Sequence, residues 1–139
     1  MGDPSISVPH MTTAVLQFLP NWETILHGEI RVGGRLVIEY DMKRMPGIGK
    51  RDRDAIGGDI EVYVKFHPGE VMSIGKVLKK IWAAEGGGSG PVVGLEPVPY
   101  EVVVPTNAHQ VEVWFKGSTR SSVNWDSRYG QNYWFPVEA

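Results

Sequence analysis

Residues Val111 to Val137 read VEVWFKGSTRSSVNWDSRYGQNYWFPV and carry three of the five tryptophans and two of the five tyrosines of a 139-residue chain. Val111, Val113 and Phe115 fall on one face and Glu112, Trp114 and Lys116 on the other, the two-residue period of a half-buried strand. The same alternation returns at the end, with Tyr133, Phe135 and Val137 on one face and Asn132 and Trp134 on the other. Gly117 to Ser122 reads as a small polar loop between them. Such a density of rings belongs either to the core or to a binding face.

Upstream, the same period recurs. Asp59 to Phe66 alternates cleanly, with Ile60, Val62, Val64 and Phe66 predicted inward; Tyr100 to Val104 is a short strand closed by Pro105. Thr13 to Phe18 is a strand stopped by Pro20, and Trp22 follows in a turn. From Gly28 to Asp41, two alternating arms flank Gly33-Gly34, which reads as a hairpin turn or a bulge within one strand. Val71 to Ala84 is ambiguous. Val71, Ile74, Leu78 and Ile81 fit a helical stripe, but Gly75 weakens it, and the strand reading is preferred over a short helix near 72–83.

Seventeen glycines and ten prolines supply the turns that such short strands need. The expected fold is therefore all-β: an antiparallel two-sheet β-sandwich of about seven or eight strands, with an open barrel as the alternative. Met1 to Thr12 reads as a loose arm and residues 13–139 as a single sandwich domain. Residues 85–99, rich in glycine and proline, read as a loop too close to either flank to divide the chain.

A formal net charge of -2 argues against a surface-wide affinity for nucleic acid or for anionic membranes. No apolar run is long enough to span a bilayer and no secretory leader is visible, so we expect a soluble, cytoplasmic protein. There is no cysteine, and His10, His27, His67 and His109 are too scattered for a transition-metal site, so neither a metal nor any other cofactor is implied. Asn124 and Asp126 are the oxygen donors a calcium ion would want, without the ladder of further oxygens that such a site uses. The one basic cluster, residues 43–54, holds five cationic and two anionic side chains; it reads as a solvated loop or, more pointedly, as a polyanion contact.

The run VPTNAHQVEVWFKG followed by WDSRYGQNYWFPV, with IEYD and FHPG before it, resembles an uncharacterised bacterial family of small β domains over most of the chain. More distantly, VEVWF followed by WDSRYGQNY is similar to the close of the starch- and glycogen-binding modules of carbohydrate-binding family twenty-one. That second likeness covers about thirty residues. It implies sugar contacts from Asp126 and Asn132, framed by Trp125 and Tyr133, although Ser127 and Arg128 stand where those modules have paired asparagines.

The chemistry of the residues points the same way. A sugar ring has an apolar C–H face and a hydroxyl rim, which suits a flat aromatic edged by amide, carboxylate or guanidinium. Trp125, Asp126, Arg128, Tyr129, Asn132 and Trp134 supply these groups within ten positions and are the expected ligand-binding residues. Asp126, Ser127 and Asn132 are equally ordinary turn residues, and the rings equally ordinary core, with Trp125 and Phe135 then buried. Function is thus expected to be non-catalytic binding of a glycan; the alternative is a protein partner held by an aromatic patch on Trp114 and Trp134. An enzyme would need convergent carboxylates, for which Asp41, Glu61 and Asp126 are the available groups.

Overall fold

The computed structural model describes residues 11–52, 55–83 and 91–139. Most of the expected N-terminal arm, residues 53–54 of the basic cluster and residues 84–90 of the glycine-rich loop lie outside them. The strands are β1 (Thr13–Phe18), β2 (Thr24–His27), β3 (Arg35–Tyr40), β4 (Arg51–Asp52), β5 (Ala55–Ile56), β6 (Asp59–His67), β7 (Val71–Lys76), β8 (Leu78–Trp82), β9 (Val92–Pro97), β10 (Tyr100–Val103), β11 (Gln110–Ser118), β12 (Val123–Asp126) and β13 (Tyr133–Pro136). A four-stranded sheet runs β10-β3-β1-β2, and a five-stranded sheet runs β12-β11-β6-β7 with β13 also on β11. Two further ribbons, β4-β5 and β8-β9, complete an all-β sandwich.

Alternation builds the core between the sheets. Leu16, Phe18, Leu36 and Ile38 from one sheet meet Ile60, Val62, Val64, Val111, Val113 and Phe115 from the other in one cluster. Phe18 is its pivot: its ring meets Phe115 edge-on at 4.7 Å and Tyr133 edge-on at 5.1 Å. Burying each of these large side chains contributes about 1.5–3 kcal/mol.

Over residues 71–84 the preferred strand reading holds and no helix forms: β7 pairs residue for residue with β6 from Val71 to Lys76, and β8 pairs with β9, a strand over Val92–Pro97 where a loop was expected. Gly75 decides the first of these, because a side chain there would overlap the Tyr100 ring packed against β7. Gly33-Gly34 is neither a hairpin turn nor a bulge. β3 pairs with β1 in parallel, and the returning turn is fastened by Gly33 N–H to Val104 O at 2.8 Å and Gly34 N–H to Arg31 O at 3.0 Å. Gly33 sits at φ +74, a conformation a side chain disfavours.

One feature of the register positions the site. Asp126 stands opposite Phe115 and Tyr133 opposite Val113, both antiparallel to β11 and on the same edge of it. Between those pairs β11 has one residue, Trp114, while the β12-to-β13 segment has residues 127–132. β12 and β13 are therefore one strand line interrupted by a six-residue excursion, and the residues at its two feet, Asp126 and Tyr133, share the core-facing parity of Phe115 and Val113. Among the described residues, no helix is long and apolar enough to cross a membrane.

Candidate functional site

The feet of the excursion meet the end of the opposite sheet. Tyr40 closes β3, and the single 3₁₀ turn Met42–Arg44 that follows carries Arg44 inward to 5% exposure. Asp126, 3% exposed, takes hydrogen bonds on Oδ2 from the Tyr40 hydroxyl at 2.8 Å and Arg44 Nε at 3.0 Å, and on Oδ1 from the Tyr133 hydroxyl at 2.5 Å. Arg44 Nη2 donates to the Tyr133 oxygen at 2.8 Å, and Nη1 donates to the carbonyls of Leu19 at 2.8 Å and Glu23 at 3.2 Å. The guanidinium thus ties three separate segments together. Its carbon lies 5.0 Å from the centroid of Trp22, the ring at the tip of the Leu19–Glu23 turn.

A buried charge is tolerable only when it is paired and its remaining donors are satisfied, and this group meets both conditions. Among the described residues, no buried side-chain nitrogen or oxygen lacks a partner. Burial, reinforced by the hydrogen bond to and charge of Asp126, pushes the Tyr133 phenol up to about 12. Tyr40 is raised for the same reasons, burial first. For Arg44, burial acts against the charge, but the hydrogen bond and charge of Asp126 outweigh it and raise its pKa. The knot is therefore a guanidinium and a carboxyl group bridged by two phenols that stay protonated near neutrality.

Above this floor is an open cleft of about 520 Å³, lined by Trp22, Trp125, Asp126, Ser127, Arg128, Tyr129, Gln131 and Tyr133. Trp22 is 66% exposed and Trp125 55%, and Tyr129 is wholly exposed. A smaller hollow of about 270 Å³ lies beside it, sharing Trp22, Arg128 and Tyr133 and adding Thr24, Trp134 and Phe135. Another hollow, of about 440 Å³ between Gln17–Leu19, Glu39–Lys43 and Pro97–Pro99, offers only Phe18 and Tyr40 as rings, both buried. The rim of the first cleft is held in uncommon backbone: Trp22, Arg128 and Tyr129 have φ between +48 and +62. Bulky residues rarely adopt that conformation, which costs of order 1–3 kcal/mol and gathers at binding and catalytic sites.

The six expected binding residues divide. Trp125, Arg128 and Tyr129 line the cleft with side chains exposed, and Trp134 lines the smaller hollow, its indole N–H donating to Gln131 O at 2.8 Å. Asp126, expected as a contact residue, reaches the cleft as floor: it is 3% exposed, and each of its oxygens already accepts from a buried donor. Asn132 does not line the cleft. Its φ of +62 turns the side chain to donate to Glu112 Oε2 at 2.6 Å, and Glu112 Oε1 in turn lies 2.8 Å from His67 Nε2. The alternative that buries Trp125 does not hold, and Phe135 is half-buried.

Trp22 and Arg44 were not among the expected residues. The basic cluster is neither wholly solvated nor wholly turned to a polyanion, since Arg44 leaves it for the interior. A tryptophan two residues after Pro20 in a turn was the available signal for Trp22: a large apolar ring on a loop has little core to enter. The outer face of the five-stranded sheet has rings too, but they face one another. Trp114 stacks on Tyr63 at 5.3 Å and 7° between planes, and Trp134 on His67 at 5.0 Å and 27°.

Residues 6–138 match the sequence profile of DUF6209, a family of unknown function. The chain belongs to that family. No curated protein and no solved structure matches it. The DUF6209 match takes in both halves of the site, Trp22 to Arg44 and Trp125 to Tyr133, which lie about a hundred positions apart in the chain. Among the described residues, no group of three or more His, Asp or Glu could hold a metal ion.

Proposed function

We propose that the protein is a non-catalytic binding module that takes a saccharide in the cleft between Trp22, Trp125 and Tyr129. The observation that carries this reading is the convergence of three exposed rings on one cleft of about 520 Å³: Trp22, with Arg44 against its ring, and Trp125, with Lys116 Nζ 5.6 Å and Tyr63 6.0 Å from its centroid, each keep more than half of their surface exposed, and Tyr129 is wholly exposed. Open aromatic faces suit the C–H face of a sugar, and Gln131, Ser127 and Arg128 at the edge suit its hydroxyls. The likeness of WDSRYGQNY to glycogen-binding modules points in the same direction, with Trp125 and Tyr129 in place of Asp126 and Asn132 as the contacts. The non-catalytic reading rests on the floor. Glycoside hydrolysis uses two carboxyl groups, and the single carboxylate at this cleft already accepts from three donors.

Two-dimensional NMR of the indole N–H groups, with a panel of neutral and acidic oligosaccharides at millimolar concentration, tests the reading. Trp22 and Trp125 should shift and Trp82, on the β8-β9 ribbon, should not. Trp22→Ala and Trp125→Ala should each weaken binding by about tenfold, near 1.4 kcal/mol. Silence of both indoles across the whole panel sinks the idea. The alternative, a protein partner seated on Trp114 and Trp134, predicts instead a Trp134→Ala-sensitive change of molecular size across a dilution series.

A further inference from the structure

We infer that the cleft selects acidic saccharide chains, with Arg128 recognising a carboxylate on the ligand; this rests on the saccharide reading above. The argument is one of charge accounting around the two hollows. Asp126 and Arg44, the ionised pair of the floor, neutralise each other at 3.0 Å and are buried. Apart from Asp126, Arg128 is the one charged residue lining either hollow among the described residues. Arg128 is exposed, and among the described residues it forms no ion pair and no side-chain hydrogen bond. The lining therefore carries the uncompensated positive charge of Arg128, and the next cation, the Lys116 ammonium 5.6 Å from the Trp125 centroid, adds to the same sign.

The position of Arg128 defines what it can read. It lines both hollows, and its guanidinium carbon stands 5.9 Å from the Tyr133 ring centroid, so the charge lies at the junction with ring-lined space on either side. A ligand that fills both hollows places an internal unit over that junction. The planar guanidinium offers parallel N–H donors that match the two oxygens of a carboxylate, and ring-lined walls lower the local dielectric around the pair. A neutral chain would leave the Arg128 donors facing hydroxyls and give up the charge-assisted part of the interaction.

Three probes test this by calorimetry at low salt: tetragalacturonic acid, its carboxyl-reduced neutral tetramer, and monomeric galacturonic acid. The acidic tetramer should bind at least about tenfold more tightly than the reduced one, in keeping with a charge-assisted pair. The monomer, which can occupy one hollow only, should bind more weakly than the acidic tetramer, and added salt should erode the acidic preference. Arg128→Gln should bind the acidic tetramer no more tightly than the unaltered protein binds the reduced one; Arg128→Lys, which keeps the charge without the fork, should fall between. If the reduced tetramer binds as tightly as the acid, or Arg128→Gln keeps the preference, the inference is overturned and the saccharide reading stands. If neither tetramer binds and the wider panel is silent, both fall. A sulfated tetramer that outcompetes the uronate overturns the assignment to a carboxylate.

Discussion

Two arginines approach the ring of Tyr133, and they have opposite fates. Arg44 lies 5.7 Å from the ring centroid, buried, with a carboxylate, a phenol and two carbonyls as its acceptors. Arg128 lies 5.9 Å from the same centroid, exposed, and in no ion pair among the described residues. A guanidinium whose every nitrogen is engaged holds structure, whereas one whose donors face solvent leaves the fold indifferent to it. The site is thus built in two storeys, a closed polar floor that fixes geometry and a rim open to solvent.

The largest test of that division is Asp126→Ala. It leaves Arg44 charged and buried without its carboxylate, and the expected loss is about 3–5 kcal/mol of unfolding free energy by urea denaturation. Arg128→Gln, removing the same kind of charge from the rim, should stay within about 0.5 kcal/mol. Replacing the pair together, as Arg44→Met with Asp126→Leu, should recover much of the loss, because a well-packed apolar pair can rival a buried ionic one. Equal costs for Asp126→Ala and Arg128→Gln would erase the distinction between floor and rim.

Tyr133→Phe comes next. It removes a donor to Asp126 and an acceptor for Arg44 while keeping the ring against Phe18, so the expected cost is about 1–3 kcal/mol. It also changes the response to alkali. A phenol with an ordinary value near 10 in the unfolded chain and about 12 in the fold favours folding while it is protonated. That contribution is complete below about pH 10 and is lost as pH climbs through about 12, with Tyr40 displaced in the same direction. The unaltered protein should therefore lose stability between about pH 10 and 12, and Tyr133→Phe should lose less over that interval. Identical alkaline slopes in the two proteins would show that this hydroxyl is not part of the knot.

The floor was the less legible half in the sequence, for a physical reason. β1, β6 and most of β11 were readable because alternation is local: each strand declares its buried face without reference to its partner. Which way Asp126 points depends on β12 pairing with Phe115–Ser118, and a WDSRYG run full of turn residues gives no local sign of that pairing. Arg44 was hidden by its company among charged neighbours, since nothing in a basic loop says which cation turns inward. The rim was partly legible, because Trp125, Arg128 and Tyr129 lie on one short loop; Trp22, across the cleft, is joined to them only by the fold. Gly33-Gly34 misled for a related reason: a glycine pair between alternating arms signals a hairpin, while the parallel β1-β3 ladder is set by contacts with Thr12 and Val104.

The smallest expected effect separates rim from floor most cleanly, because its sign differs. Tyr129 has φ +59 and a fully exposed ring, so its side chain adds nothing to the core and its backbone is held where a Cβ is unwelcome. For most residues that conformation costs roughly 1–2 kcal/mol, which glycine avoids; against this, glycine loses about 0.5–1 kcal/mol more conformational freedom on folding. Tyr129→Gly should therefore leave stability unchanged or raise it by up to about 1 kcal/mol, while weakening saccharide binding. A strained conformation with no packing return is what the proposed contact between this ring and a saccharide would account for. A drop in stability of more than about 1 kcal/mol in the glycine variant would instead make Tyr129 part of the architecture, and the upper storey would then have to be redrawn around Trp22 and Trp125 alone.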